Sequence, residues 1–199
     1  MSQRLIDAEL MPQQMKQKLN DFMHKIQQLG EILHINLSDF QADHIALRIN
    51  EAELAHLAHQ EWLKAGKEIS NAMINGRPII VLEFNQPLNA LEWQIECLEL
   101  PYPAEGKYYP EQSWEHVEFV VPSHAKTAEE YLADLKRQFP CFAEKYDVLS
   151  DQGVKIKLSS PKGEGERLNN PTVAFKRNGV CIKLHPHSLK KIVESEQAS

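Results

Sequence analysis

The sequence predicts an α+β fold, in which two βαβββ units form an incomplete barrel around a cleft, preceded by an extra N-terminal helical segment. Residues 11–33 carry apolar side chains at steps of three and four, the period of an amphipathic helix. After this segment the apolar side chains alternate, as in half-buried strands. The order strand, helix, strand, strand, strand then occurs twice. We therefore expect residues 1–40 to form the helical segment and 41–199 the main domain, with units at 43–104 and 113–187.

The composition excludes several classes of function. The 199 residues include 22 lysines and arginines against 28 aspartates and glutamates, a net charge of −6, so we expect no nucleic-acid partner. No apolar run approaches the roughly 20 residues that cross a bilayer, so we expect no membrane partner, and the N-terminus lacks the apolar stretch of a secretory signal. The three cysteines form no CxxC motif and are expected to be small buried residues, which favours a cytoplasmic protein. The oligomeric state is not indicated.

The first unit begins with the alternating segment 43–49, which predicts a strand with one buried face. Residues 51–65 have helical spacing. Asn75-Gly76 is a strong signal for a hairpin turn, and it precedes the strand 77–84. A last strand is predicted over 93–100, where prolines stop it.

The second unit repeats this order. A strand at 114–121 is followed by a helix at 127–139, which Thr127 and Glu130 open as a capping box. The remaining segments predicted as strands are 145–149, 153–159, 172–176 and 180–185. The long polar loop 159–171 is a candidate lid over the cleft. A short helix is expected from Ser188 onward.

The repeat carries the residues that suggest chemistry. Asp43-His44 opens the first unit and Glu115-His116 the second, each followed by a β-branched residue. Glu99 lies on the strand that closes the first unit. If the two units enclose one cleft, both imidazoles and this carboxylate converge there. Such groups present lone pairs to a divalent metal ion, so His44, Glu99 and His116 are the candidate ligands.

The sequence resembles the vicinal oxygen chelate superfamily, which includes glyoxalase-type isomerases and extradiol dioxygenases, and within it the bacterial YecM family. The resemblance covers nearly everything after the N-terminal helix. It is carried by DHIALR (43–48), NGRPI (75–79), ELPYP (99–103), YPEQSWEHVEFVVP (109–122), SSPKGEGERLNNPT (159–172) and IKLHPHS (182–188).

The resemblance implies a metal site to which this sequence conforms only in part. His44, Glu99 and His116 match the first three ligand positions of glyoxalase-type members. The fourth position falls on Lys183, which cannot ligate while protonated, and His185, two residues on, is an alternative. Glu118 is a candidate general base, a partner that orients a ligand, or a ligand in place of Glu99.

These residues suggest a metal-dependent enzyme with isomerase- or lyase-like chemistry on a small, oxygen-rich, anionic metabolite. Glu118 and His185 are the candidate catalytic residues, and Arg48 and Lys183 the candidate substrate-binding residues. The expected cofactor is one divalent ion of zinc, manganese, nickel or iron. Two alternatives stay open: a non-haem iron dioxygenase with a 2-His-1-carboxylate site, and a small-molecule binding protein without catalysis.

Overall fold

The computed structural model describes residues 2–161 and 168–197, and this part of the chain contains eight strands and six α-helices. The predicted α+β class is confirmed. The strands are β1 (Gln41–Arg48), β2 (Gly66–Ile74), β3 (Arg77–Ala90), β4 (Trp93–Pro101), β5 (Ser113–Val120), β6 (Lys155–Ser159), β7 (Thr172–Arg177) and β8 (Val180–His185). The helices are α1 (Gln3–Asp7), α2 (Pro12–Leu33), α3 (Ala52–Trp62), α4 (Ala128–Gln138), α5 (Pro140–Lys145) and α6 (Leu189–Gln197).

The strands form one open sheet in the order β2-β3-β4-β1-β5-β8-β7-β6. This order reads as two equivalent halves that meet where β1 pairs antiparallel with β5. In each half the first strand pairs parallel with the last, β1 with β4 and β5 with β8. The two βαβββ units are therefore related by a local two-fold axis between β1 and β5.

The long helix α2 packs on one face of the sheet, against β5 and β8. Its apolar stripe joins the main core, and the indole of Trp114 donates a hydrogen bond to the carbonyl of Met15 (2.9 Å). Position 30 of this helix favours a glycine because Leu37 lies close to it: a Cβ atom there would lie 2.7 Å from Leu37 Cδ1. The predicted helix over 11–33 is thus confirmed.

The hairpin between β2 and β3 turns at Asn75 and Gly76, both with positive φ (52° and 78°), as the dipeptide predicts. The strand predicted over 145–149 is wrong. That segment ends α5 and continues as 3₁₀ turns. Phe142, Tyr146 and Leu149 follow helical spacing, and Phe142 and Leu149 are fully buried, so the apolar side chains pack from one side.

The opposite face of the sheet lines a cleft of about 740 Å³. Residues of both edge strands, Ile74 of β2 and Lys155 of β6, line the same cleft, so the sheet curves around it. Residues 162–167 of the candidate lid 159–171 lie outside the described residues. No helix in the described part of the chain is long and apolar enough to span a membrane.

The fold places two of the three thiols out of reach of reagents. Cys97 and Cys181 occupy equivalent buried positions on β4 and β8, and burial raises the pKa of each thiol to about 12. Cys141 is exposed, contrary to the expectation that each cysteine is buried. We predict that one thiol per native chain reacts rapidly with a thiol-specific disulfide reagent near neutral pH.

The Cys141→Ser variant should lose this rapid reaction, and denaturation should expose all the remaining thiols. Equal reaction rates for all three thiols in the native protein would contradict the placement of Cys97 and Cys181.

Candidate metal centre

The centre lies where β1 and β5 cross the local two-fold axis, and each strand contains a β-bulge there. Ala42 and His44 pair with the adjacent residues Phe119 and Glu118, so Asp43 is an extra residue on β1. In the same way the pairing skips Glu115 on β5. A bulge breaks the strict alternation of side chains. Each bulged acid therefore lies beside the histidine that follows it instead of on the opposite face.

Each acid contacts Nδ1 of its histidine. Asp43 Oδ2 lies 3.0 Å from His44 Nδ1, and Glu115 Oε2 bonds His116 Nδ1 in the same manner. The Nε2 atoms of both histidines are buried without a hydrogen-bond partner. A carboxylate at Nδ1 orients an imidazole so that Nε2 presents its lone pair, an arrangement common around protein metal ions.

Two carboxylates face these Nε2 atoms. Glu99 Oε2 lies 3.3 Å from His44 Nε2, and Glu118 Oε1 lies 3.4 Å and 3.5 Å from the Nε2 atoms of His44 and His116. Four potential ligand atoms, one from each residue, lie within 4.8 Å of one another. Donors held about 2.1 Å from one ion lie roughly 3.0–3.4 Å apart at tetrahedral or neighbouring octahedral positions. The four side chains therefore fit a single divalent ion.

The fourth residue of this cluster, Glu118, lies on β5 and not on the second closing strand β8. Glu99 on β4 and Lys183 on β8 are equivalent by the two-fold axis, since Glu99 pairs with Ala46 and Lys183 with Glu118. The second closing strand therefore supplies a cation where the first supplies a carboxylate. Glu118, equivalent to Ala46, provides the second carboxylate of the cluster instead.

His185 lies behind Glu118, away from the cleft. It is fully buried, with Nδ1 3.1 Å from Glu118 Oε2 and Nε2 2.8 Å from Asp43 Oδ1. Asp43, His44 and His185 form a second group that could ligate an ion, but all three side chains are at most 1% exposed. The first group differs because Glu99 and Glu118 reach the cleft, where a substrate can approach.

The electrostatics of the cluster couple its acids to its histidines. Burial lowers the pKa of His44, but Glu118 and Asp43 outweigh burial and hold this pKa well above its usual value. Burial raises the pKa of Glu118, but His44 and His185 outweigh it and hold this pKa well below its usual value. The carboxylates are therefore ionised, and a metal ion would displace the protons that balance them.

The candidate substrate-binding residues both line the cleft. Arg48 forms an ion pair with Glu115, and its guanidinium carbon lies 3.6 Å from the centroid of the Tyr109 ring. Lys183 Nζ lies 3.8 Å from Glu118 Oε1. Burial lowers the pKa of Lys183, but Glu118 and Glu99 raise it more, so this lysine is charged. Among the described residues, seven lysines and arginines line the cleft against three glutamates.

Comparison with known proteins identifies the family. The family model described as YecM protein matches residues 11–196. The chain belongs to the YecM family. It is 38% identical over 178 residues to Protein YecM of Escherichia coli (strain K12), covering 89% of this chain and 90% of that protein. It is 35% identical over 180 residues to an uncharacterized protein of Haemophilus influenzae, covering 85% and 87%.

A solved structure described as "Structural Genomics, Protein EC4020" shares the fold of this YecM-family chain. Its TM-score is 0.73 at 33% identity, covering 93% of this chain and 92% of that one. The family resemblance drawn from the sequence is thus confirmed.

Two residues of this candidate centre were not assigned a role from the sequence. Asp43 and Glu115 orient the histidines, and their signal was the acid-histidine pair that opens each unit. Strict alternation would turn these acids away from the histidines. The two bulges place each acid beside its histidine, and a bulge cannot be recognised clearly in a single sequence.

The two acids provide a matched test of the centre. We predict that Asp43→Asn and Glu115→Gln each weaken the affinity for a divalent ion about 10–100-fold, because each removes the carboxylate that orients one imidazole. Isothermal titration of metal-free protein with Zn²⁺ or Mn²⁺ measures this loss. Each acid has a second partner, since Asp43 also accepts a hydrogen bond from the Leu189 amide (2.8 Å) and Glu115 forms an ion pair with Arg48, so the two variants are measured together.

Glu129→Gln, which changes an exposed acid on α4, is the control and should bind the ion like the parent. Unchanged affinity in both Asp43→Asn and Glu115→Gln would show that these acids do not support a metal site.

Proposed function

We propose that the protein is a cytoplasmic, metal-dependent enzyme of the vicinal oxygen chelate type, with isomerase- or lyase-like chemistry on a small anionic metabolite. The observation that carries the proposal is the convergence of two buried, unpartnered Nε2 atoms with two carboxylates. His44, His116, Glu99 and Glu118 would hold the ion. Zinc, manganese, nickel and iron all accept imidazole and carboxylate ligands.

Charge supports an anionic substrate. The carboxylates of Glu99 and Glu118 balance a divalent ion, so the ion and its ligands carry no net charge. The cleft then keeps the excess of cations that line it. Lys183 Nζ lies 3.8 Å from Oε1 of Glu118, and this partner would be engaged by the ion. A substrate carboxylate or phosphate would therefore replace that carboxylate as the partner of Lys183.

Each residue has a proposed part in the chemistry. A bound divalent ion would act as a Lewis acid on substrate oxygens and so make a neighbouring C–H bond more acidic. Glu118 would move the proton through Oε1, the oxygen that faces the centre, and would hold the ion only while this oxygen carries no proton; Oε2 stays paired with His185. His185 and Asp43 would position this carboxylate from behind. Lys183 would hold the anionic group of the substrate, and Arg48 would keep Glu115 in place.

The second carboxylate favours this proposal over an iron dioxygenase. A 2-His-1-carboxylate site uses three protein ligands and leaves a whole face of the ion free for substrate and oxygen. Here Glu118 Oε1 lies 3.4 Å and 3.5 Å from the two Nε2 atoms, nearly as close as Glu99 Oε2 lies to His44 Nε2 (3.3 Å). Four protein ligands leave fewer open positions, enough for two oxygens of one substrate on a six-coordinate ion.

Metal binding by single variants tests the ligand set. We predict about one divalent ion per chain in protein purified without a chelator or a nickel column. His44→Ala, His116→Ala and Glu118→Ala should each lose most of this ion, because each removes a ligand. Lys183→Met should bind the ion at least as tightly as the parent, since it removes a positive charge beside Glu118.

Elemental analysis gives the stoichiometry, and titration gives the affinity. His59→Ala is the matched histidine control, because His59 pairs with Glu68 outside the cleft. Full metal content in both His44→Ala and His116→Ala would place the ion elsewhere. Full metal content in Glu118→Ala would instead support a three-ligand site and the dioxygenase alternative.

A ligand screen tests the class of substrate. With the ion present, hydroxy and keto acids and their phosphate esters should raise the melting temperature of the parent selectively. Lys183→Met should lose most of this response, because the substrate loses its nearest cation. A thermal-shift assay of both proteins against matched anionic and neutral metabolites measures the effect. Equal stabilisation of the two proteins, or a preference for neutral compounds, would contradict the anionic substrate.

A further inference from the structure

The local two-fold axis makes the two units comparable position by position on the face that lines the cleft. Strand register gives the equivalent pairs beyond the metal centre. Each position is identified by the residue that it pairs with on the neighbouring strand. The equivalent pairs, with the residue of the first unit given first, are Val81 and Ala174, Glu83 and Lys176, Ser70 and Lys157, and Lys67 and Lys155.

In the first unit the C-terminal helix α6 covers this face. Val193 packs against Val81 in a small apolar cluster. Lys190 Nζ lies 2.7 Å from Glu83 Oε1, and Ser70 Oγ donates a hydrogen bond to Glu196 (2.9 Å). Three of the four positions in the first unit therefore contact α6 through complementary groups.

In the second unit the same positions face the cleft. Lys155, Lys157 and Lys176 are exposed, and all three line the cleft with Ala174 between them. None of these lysines forms an ion pair with any residue in 2–161 or 168–197. Lys155 lies directly opposite Lys176 on the neighbouring strand. Like charges in this arrangement destabilise a sheet unless an anion lies between them.

We propose that this lysine face, made of Lys155, Lys157 and Lys176 around Ala174, binds a second anionic group of the substrate. The inference rests on the proposed function, because it places the substrate's chelating end at the metal centre. Ala174 lies two strands from Glu118, a separation of about 10 Å at the usual strand spacing. The substrate is therefore an elongated polyanion with a phosphate or carboxylate about 10 Å from its chelating oxygens.

The intervening surface suits such a molecule. Lys183 lies in the same row as Ala174 and Glu118, so cations continue from the metal centre to the lysine face. Ala174 has a small side chain and leaves room above the strand. The cleft of about 740 Å³ falls within the range of small-molecule sites.

Titration of metal-free protein with inorganic phosphate, followed by ³¹P NMR, tests the lysine face without the ion. Lys157→Met/Lys176→Met should weaken phosphate binding about tenfold through the loss of two charges, and Lys155→Met should weaken it less. Lys67→Met is the matched control, because Lys67 is exposed and holds the position equivalent to Lys155. It should bind phosphate like the parent.

The metal titrations of the same variants separate this inference from the proposed function. All the lysine variants should keep the ion stoichiometry of the parent. Lysine-dependent phosphate binding in a protein that takes up no ion would support the anion site and overturn the proposed function. Normal ion uptake with phosphate binding that is absent, or equal in the parent and the double variant, would overturn the inference alone.

Discussion

The antiparallel pairing of β1 with β5 is the contact on which the centre depends. It brings the two units together about a local axis and places His44 opposite Glu118, and His116 opposite Ala46. The bulge in each strand then turns an acid toward each imidazole. Each unit contributes only one of the two imidazoles of the centre, so the centre exists only because the two halves share this pair of strands.

The repeated unit provides the scaffold, and the differences between the two halves provide the site. The equivalent positions Glu99 and Lys183 carry opposite charges, and Ala46 corresponds to Glu118. These differences concentrate both carboxylates near the two imidazoles and leave a cation beside them. The outer strands of the two units also differ. Those of the first unit contact α6, and those of the second unit carry lysines that face the cleft.

Much of this architecture is visible in the sequence, because alternation, helical spacing and the Asn75-Gly76 turn report local structure directly. The repeated acid-histidine pair also located His44 and His116. Other features depend on tertiary structure. The segment 145–149 alternates like a strand, yet Phe142 and Leu149 pack from one side of a helical turn. The roles of Asp43 and Glu115 require the bulges, and the approach of Glu118 to both histidines requires the register between β1 and β5.

The position of a bound ion tests the proposed metal centre most directly. Anomalous diffraction from crystals soaked with Mn²⁺ or Zn²⁺ locates that ion relative to both histidines. We predict one strong peak per chain, within bonding distance of His44 Nε2 and His116 Nε2 and of carboxylate oxygens from Glu99 and Glu118. A peak among Asp43, His44 and His185, or no peak near either histidine at saturating metal, would contradict it.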